Sequence, residues 1–451
     1  MDRRQFIETT AAAATSTLAA SSAVHSFGRQ RRVGLIGAGW YGKVDLLHLL
    51  QVEPVEVVSV CDVDSQKLKQ AIELFASRHK SPTKPRGFSD YRKQLSEVEH
   101  DLIIVGTPDH WHALPAIAAM KAGAHVYCEK PTAVDIMESK AMLDTARKLG
   151  RKLQVGTQRR RIPHLLKVKK EIVDMGLLGD IAFAEMCCYY HMRRNQTVEQ
   201  CPDIKPPENL DWDMWTGPAP MRPYNAIVHP KGWRAFTEYG NGIMGDMCVH
   251  VFDMTRWMLG LAWPESISSS GGIFVQTDAR SNIPDTQRAS FNYRDIQLNW
   301  THRSWGDAPD RDYPWASIIY GSKGTLKLDF TKYEFIPRGN GKRLQGSVSP
   351  DLENFPKDEA DHRDWEVDLI GALGSRSLMK DWLNAIDQDT KPVADIAEAH
   401  LSSACCVLAN LAMKLGRTLR FDPTTHTIKN DSEANQLLKR PYRSPWIHPA
   451  D

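Results

Sequence analysis

Residues 31–42 read Arg31-Arg32-Val33-Gly34-Leu35-Ile36-Gly37-Ala38-Gly39-Trp40-Tyr41-Gly42, an apolar run that breaks into glycines spaced G-x-G-x-x-G. The run predicts a buried strand, and Tyr41 to Leu50 a helix after it. A glycine loop between a strand and a helix lets a pyrophosphate approach the backbone and rest on the helix N-terminus. The spacing alone is weak, because tight turns also select glycine. Here Asp62 closes the next predicted strand, VEVVSVCD, at about the 20-residue separation that the dinucleotide fingerprint requires. A carboxylate there accepts from ribose hydroxyls and repels a 2′-phosphate, so NAD is expected rather than NADP. Gly37, Gly39, Trp40, Tyr41, Gly42 and Asp62 are the first expected cofactor contacts.

Strand and helix continue to alternate outward from this point. Ser65 to Ser77 predicts a helix, DLIIVGTP a strand, the residues from about His112 a helix, AHVYCEKP a strand and KLQVGTQ the last strand. That order implies an α/β fold with a parallel sheet covered on both faces. Ligands of such sheets bind at the carboxyl ends of the strands. Thr107, Pro108, His110 and His112 stand at one such end, Glu129 and Lys130 at another, and Gln158 at the last. Pro131 cannot donate to a ladder and stops its strand, which presents Lys130 to the crevice. Taken alone, Thr107-Pro108-Asp109 reads equally as a turn with a helix cap, and Glu129-Lys130 as a solvated strand end.

A chain of 451 residues is too long for one core, which implies two domains. Its formal net charge of +2 argues against a nucleic-acid partner. The basic run from Arg159 to Lys170 reads as a solvated helix face. Eight cysteines without C-x-x-C spacing argue against a disulfide framework or zinc.

Beyond Gln158 the pattern changes. IAFAEMCCYYHM from Ile181 and ASFNYRDIQLNWTHRS from Ala289 predict long strands, and ASIIYGSKGTLKLDF a hairpin turning at Gly321 to Gly324. Between them Pro202 to Phe236 is an irregular excursion rich in Pro and Trp, of a length that suggests a binding loop or lid. Trp212, Trp215 and Trp233 offer flat faces to a sugar ring, and Arg222 and Arg234 offer grips for hydroxyls or a carboxylate; each tryptophan reads equally as packing for the loop. In GNGIMGDMCVHVFDMTRWML, Asp246, His250 and Asp253 fall at i, i+4, i+7 on one helix face, opposite Met247, Val251, Met254 and Met258. Such a pair reads either as a first-turn carboxylate with a satisfied core histidine, or as a catalytic pair. A metal site of Asp246, Cys248 and His250 is disfavoured because Cys248 points to another side of the helix. Helices are expected from Arg363 to Asp387 and Ile396 to Leu415, then a polar, Pro-rich arm anchored by Trp446.

The glycine start, TPDHWH, EKP and GDMCVH together resemble the Gfo/Idh/MocA oxidoreductases, over about Arg31 to Arg420. The resemblance implies a Rossmann domain followed by an α/β domain whose open, mainly antiparallel sheet faces the nicotinamide, with a Lys130-Pro131 peptide that is often cis. It also maps the family's Asp and His onto Asp246 and His250. Oxidising a secondary alcohol needs a base and a positive group for the developing alkoxide, here His250 and Lys130, with Asp246 steering them. Lys130 is the alternative proton carrier. Substrate contacts are expected from Lys130, Trp233, Arg234, Asp246, His250 and His191.

The expected activity is therefore NAD-dependent hydride transfer at a secondary hydroxyl of a sugar, glycoside or cyclitol. The alternative is redox-neutral hydrolysis, elimination or epimerisation with tightly held NAD, through a transient keto sugar. Residues 1–30 carry Asp2-Arg3-Arg4-Gln5-Phe6-Ile7 before an Ala/Thr/Ser run, resembling a twin-arginine export signal and predicting a periplasmic protein; a cytoplasmic protein with a basic N-terminus is the other reading. The expected organisation is 1–30 signal and linker, 31–158 Rossmann domain, 159–425 substrate domain and 426–451 arm. A homo-oligomer, dimer or tetramer, is expected through the C-terminal sheet, with no metal and no membrane integration.

Overall fold

The computed structural model describes residues 30–78, 83–190 and 194–451, so the expected export signal and His191 lie outside the described residues. Six short strands, β1 (Arg32–Ile36), β2 (Glu56–Cys61), β3 (Arg86–Phe88), β4 (Leu102–Val105), β5 (His125–Cys128) and β6 (Leu153–Val155), form one sheet in the order β3-β2-β1-β4-β5-β6. Every neighbouring pair is parallel. Helices α1 (Trp40–Val52), α2 (Ser65–Arg78), α3 (Tyr91–Glu97), α4 (Ala113–Lys121) and α5 (Ile136–Leu149) cover it. All four residues of β4 are buried, as a strand covered on both faces requires. The strand order reverses between β1 and β4, and the crevice opens at their carboxyl ends. Sequence reading passed over β3 and α3, since a three-residue edge strand with Gly87 at its centre carries no pattern.

The second sheet has eight strands: β7 (Ile181–Cys188), β8 (Ser266–Gly272), β9 (Thr286–Asn292), β10 (Gln297–Arg303), β11 (Trp315–Gly321), β12 (Gly324–Leu328), β13 (Lys332–Pro337) and β14 (Leu344–Ser347). Their order is β14-β13-β12-β11-β7-β10-β9-β8, antiparallel except where β10 runs parallel to β7. Gly321 and Gly324 face each other in the expected hairpin. The single strand expected from Ala289 is instead two, β9 and β10, joined by a tight turn in which the Tyr293 amide donates to the Ile296 carbonyl at 2.9 Å. One face packs on α6 (Val249–Leu259), whose Val251, Met254 and Met258 enter the core with Leu298, Trp300 and Ile319.

The helix expected over Arg363–Asp387 is two, α7 (Lys357–Trp365) and α8 (Gly371–Asp387), separated at Glu366, which adopts φ 57°. Helix α8 returns to the first sheet: Leu378, Met379 and Trp382 share a core with Val33, Leu35 and Leu102. Helix α9 (Ile396–Leu415) is apolar and long enough to cross a membrane, but most of it is buried in protein.

The basic run divides: Lys167 and Lys170 are exposed as expected, but Arg159 and Arg160 are buried. Arg160 donates to both Asp253 oxygens at 2.8 and 2.7 Å in a pair only 3% and 1% exposed, and Arg161 pairs with Asp381. The reason is tertiary: partners from α6 and α8 close over the arginines. Asp253 is thereby committed to Arg160 and Ser402 rather than to the face shared by Asp246 and His250.

The C-terminal residues wrap back over the cleft's edge. Trp446 packs edge-on against Trp111 at 4.8 Å between centroids. Arg440 donates to the Thr237 carbonyl and to Asn241 Oδ1, both at 2.7 Å. Asp135, Glu138 and His448 form a buried cluster, yet each carboxylate oxygen accepts a hydrogen bond, from the Glu138, Val134 and Arg440 amides, His448 and the Tyr442 hydroxyl. The cluster is a pin for the arm.

Candidate active site

The turn from β1 into α1 passes Gly37 at φ 89°, where a Cβ would lie 2.6 Å from the Thr107 nitrogen. A Cβ on Gly42 would lie 2.0 Å from the Gly37 carbonyl oxygen, whereas one on Gly39 would meet nothing within 4 Å. Two glycines thus serve close packing, and the third leaves open space before a helix N-terminus that no side chain caps. That is the cradle a pyrophosphate needs. Asp62 accepts from the Ala38 amide at 2.7 Å and the Asp64 amide at 2.8 Å, so it also fixes the loop. The cavity in front is lined by Gly37, Gly39, Trp40, Tyr41 and Asp62 on one side and by Thr107, Pro108, His112, Glu129 and Lys130 on the other. Among the described residues, the buried Thr107 hydroxyl has no hydrogen-bond partner. These features fit NAD.

His112 lies 2.7 Å from the Pro131 carbonyl and 3.0 Å from that of Thr107, tying two strand ends together. His110 does not face the cofactor cavity. Its Nε2 is 3.0 Å from the Trp215 carbonyl, and its ring packs on Trp215 and Tyr239, because the 3-10 turn at Asp109–Trp111 aims it into the excursion. Gln158 donates to the Tyr41 hydroxyl at 3.2 Å and lines the neighbouring cavity instead.

That second cavity, about 450 Å³, shares Trp40, Tyr41, Glu129, Lys130 and Arg234 with the first and adds Asp246, His250 and Trp315. Lys130, joined to Pro131 by a cis peptide, donates to Asp246 Oδ1 at 2.7 Å and to the Asp246 carbonyl at 3.2 Å. Residues Met244–Cys248 form a π-helical turn, which opens the usual ladder where that carbonyl is used. Arg234 Nε approaches Asp246 Oδ2 at 3.4 Å and its guanidinium stacks on Trp233 at 4.1 Å. Burial opposes ionisation of Asp246, but Lys130 and Arg234 outweigh it and hold its carboxyl below the ordinary range. His250 is driven well below an ordinary imidazole by burial, then by Lys130, Arg159 and Arg234. It is therefore neutral.

Asp109, read from sequence either as part of the crevice-lining segment or as a helix cap, lines the cofactor cavity and is pushed up to about 7 by burial against the pull of Arg234. Two wall residues escaped sequence reading. Arg159 and Trp315 line the second cavity, with the guanidinium 3.9 Å from the ring centroid. Arg159 was hidden in a charge run, and Trp315 in an ordinary strand.

The excursion divides its tryptophans. Trp212, Trp215 and Trp233 share one packed cluster with Phe236 and Tyr239, Trp212 and Trp215 stacking at 4.8 Å, and of the three Trp215 and Trp233 reach the cofactor cavity while Trp212 does not. Arg222 is engaged by Glu238 at 3.2 Å and by the Phe236 ring, away from either cavity. The excursion is latched to the Rossmann side by Asp64, which accepts from His229 at 2.9 Å and Asn209 at 2.8 Å.

Fold and cavity together define a two-domain, NAD-binding oxidoreductase. Residues 31–157 match the NAD-binding Rossmann fold of the Gfo/Idh/MocA oxidoreductase family, and residues 164–333 and 350–448 match its C-terminal α/β domain; the chain belongs to that family. It is 30% identical over 244 residues to a glycosyl hydrolase family 109 protein of Stenotrophomonas maltophilia, a match spanning 52% of this chain and about half, 48%, of that protein. It is 31% identical over 151 residues to an inositol 2-dehydrogenase/D-chiro-inositol 3-dehydrogenase of Lactiplantibacillus plantarum, covering 33% of this chain and 41% of the other. Among solved structures, an oxidoreductase from Agrobacterium radiobacter in complex with NAD+, L-tartaric acid and magnesium superposes with a TM-score of 0.65 at 16% identity, over 87% of this chain and 98% of that one.

Proposed function

We propose that the protein is an NAD-dependent oxidoreductase acting on a secondary hydroxyl of a sugar, glycoside or cyclitol. The observation that carries this reading is Lys130, held by Asp246 on the wall common to a dinucleotide cavity and a second cavity that contains His250. NAD, when bound, supplies the two-electron acceptor or donor. Lys130 faces the substrate oxygen and stabilises negative charge as it develops there. Asp246 keeps the ammonium in place. His250, neutral and with no partner for Nδ1 among the described residues, accepts the hydroxyl proton on oxidation and returns it on reduction. Arg234, on the wall of both cavities and stacked on Trp233, orients the ring. The inositol dehydrogenase named above supports a cyclic polyol as substrate. The test is the absorbance of reduced nicotinamide on mixing protein, NAD and a panel of sugars and cyclitols; silence across the panel removes the reading.

A second reading has its own support. Burial pushes Asp109 to about 7 and raises Glu129 against the pull of Lys130, which gives the cofactor cavity two carboxyls able to exchange protons near neutrality. A redox-neutral hydrolase, lyase or epimerase with tightly held NAD would use them, as the name of the Stenotrophomonas relative suggests. Release of the aryl alcohol from an aryl glycoside without added NAD or net reduced nicotinamide favours this reading.

The twin-arginine-like residues Arg3 and Arg4 support export of the folded, NAD-loaded protein to the periplasm. Detection of the mature chain only in cytoplasmic fractions reverses that. The polar outer face of the eight-stranded sheet, with Glu185, Arg288 and Asn299, supports assembly into a dimer or tetramer, which light scattering measures.

A further inference from the structure

The cavity around His250 holds more positive charge than its own carboxylates answer. Lys130 and Arg234 share Asp246 and also face Glu129, and Lys231 pairs with Glu366. Arg159 and Arg194 also line the wall, and among the described residues neither has a carboxylate within ion-pairing distance. Asp368, on the same wall, accepts from the Ile370 amide at 3.1 Å.

Arg159 is the telling member of the set. It is 3% exposed, and among the described residues neither Nη1 nor Nη2 has a hydrogen-bond acceptor. Its closest contacts are rings, Trp315 at 3.9 Å and Phe330 at 5.5 Å from the guanidinium carbon, while the Asp329 and Asp368 carboxylates act on it only from beyond ion-pairing distance. Aromatic faces hold a guanidinium by cation–π attraction but leave its N–H groups unanswered. A buried charge without a partner is costly, and the side chain's fork geometry matches a carboxylate or phosphate in a two-pronged contact. Burial lowers Arg159 to about 10, so it remains charged at neutral pH. The same Trp315 ring packs edge-on against His250 at 5.4 Å between centroids. One indole therefore touches both the unanswered guanidinium and the proposed base, and all three line the same cavity.

We propose that Arg159 reads an oxyanion on the substrate, so that the cavity takes an acidic sugar, a uronate or aldonate before a sugar phosphate, with the anion on Arg159 and the reacting hydroxyl at His250. This rests on the oxidoreductase reading for the site, and extends it to the substrate's charge.

The experiment measures binding apart from turnover. NAD-loaded protein is titrated calorimetrically with D-glucuronate, D-galacturonate, D-gluconate and D-glucose 6-phosphate, and with the methyl uronate esters and D-glucose as neutral counterparts. An anion is expected to bind roughly 100-fold more tightly than its neutral counterpart. That ratio should collapse toward unity in Arg159→Gln and recover in part in Arg159→Lys, with NAD affinity unchanged in both. A phosphate that wins with the same dependence on Arg159 moves the oxyanion from carboxylate to phosphate. A ratio near unity in the unmodified protein, or one that survives Arg159→Gln, overturns the proposal, as does equal weakening of acid and ester, the mark of a structural role. Should Arg159→Gln fail to fold, the unmodified protein's ratio and Arg159→Lys decide. Anion binding in this pattern with no reduced nicotinamide from any sugar would instead remove the oxidoreductase reading and leave Arg159's role standing.

Discussion

Lys130 and Asp246, 116 residues apart in sequence, meet at 2.7 Å where the carboxyl edge of the first sheet touches the π-helical turn of the second domain. Neither residue's own domain builds the site. Replacing Lys130 by Met removes the charge while keeping most of the stem. Turnover should fall by on the order of 10²–10⁴-fold, with NAD still bound. Stopped-flow absorbance for turnover and fluorescence titration for NAD separate the two quantities, and a Lys130→Met enzyme with undiminished turnover removes Lys130 from the chemistry.

The latch at Asp64 predicts slow cofactor exchange. Burial raises Asp64, but hydrogen bonds from His229 and Asn209 outweigh it and hold the carboxyl well below its ordinary range. His229→Ala leaves that carboxylate with one fewer donor and should speed NAD release by roughly tenfold. Displacement of bound NAD by a fluorescent analogue measures the rate. Equal rates would mean that the excursion does not gate the cofactor.

Asp62 holds the Ala38 amide and lines the cofactor cavity, where a ribose contact is the expected second task. Asp62→Asn retains an acceptor for the loop but loses the charge that repels a 2′-phosphate. The ratio of NADP to NAD dissociation constants should fall by about tenfold or more. Unaltered selectivity would assign Asp62 to the loop alone.

Burial, with Asp135 beside it, raises Glu138 from 4.5 to about 8. In the unfolded chain Glu138 loses its proton near 4.5, and in the folded chain it keeps it. The unfolded state binds fewer protons between those limits, so this group makes stability fall as pH rises from about 4.5 to about 8. The groups facing it are Asp135, Arg440, Tyr442 and, through Asp135, His448. Glu138→Gln should flatten that part of the profile, and the melting temperatures of mutant and parent should converge or cross by roughly 2–4 °C between pH 5 and pH 8. Calorimetric scans at the two pH values check it.

Local signals were legible. The glycine loop, Asp62, the strand ends at Thr107 and Lys130, and the hairpin at Gly321 and Gly324 each depend on a few adjacent residues, and each forms as read. Long-range effects were not legible. Arg159 to Arg161 look like solvent charges until Trp315, Asp253 and Asp381 arrive from distant elements. Asp253 shares a helical period with Asp246 and His250, but Arg160, arriving from a distant element, claims it. His110 sits in the right motif, while its 3-10 turn directs the ring to Trp215. The turn at 293–296 contains neither Gly nor Pro, so two strands read as one.

The return of α8 to the first sheet bears on how such a chain can be recombined. Trp382 packs beside Tyr127 at 6.0 Å between centroids, and Gln154 of β6 donates to the Leu378 carbonyl. A fragment cut after Gln158 would carry every expected nucleotide contact and still lack part of its own interior. Shuffling between relatives would therefore have to move residues 367–394 together with 31–158, as two separated segments inherited as one unit, or the graft would present Leu35 and Leu102 to a mismatched helix.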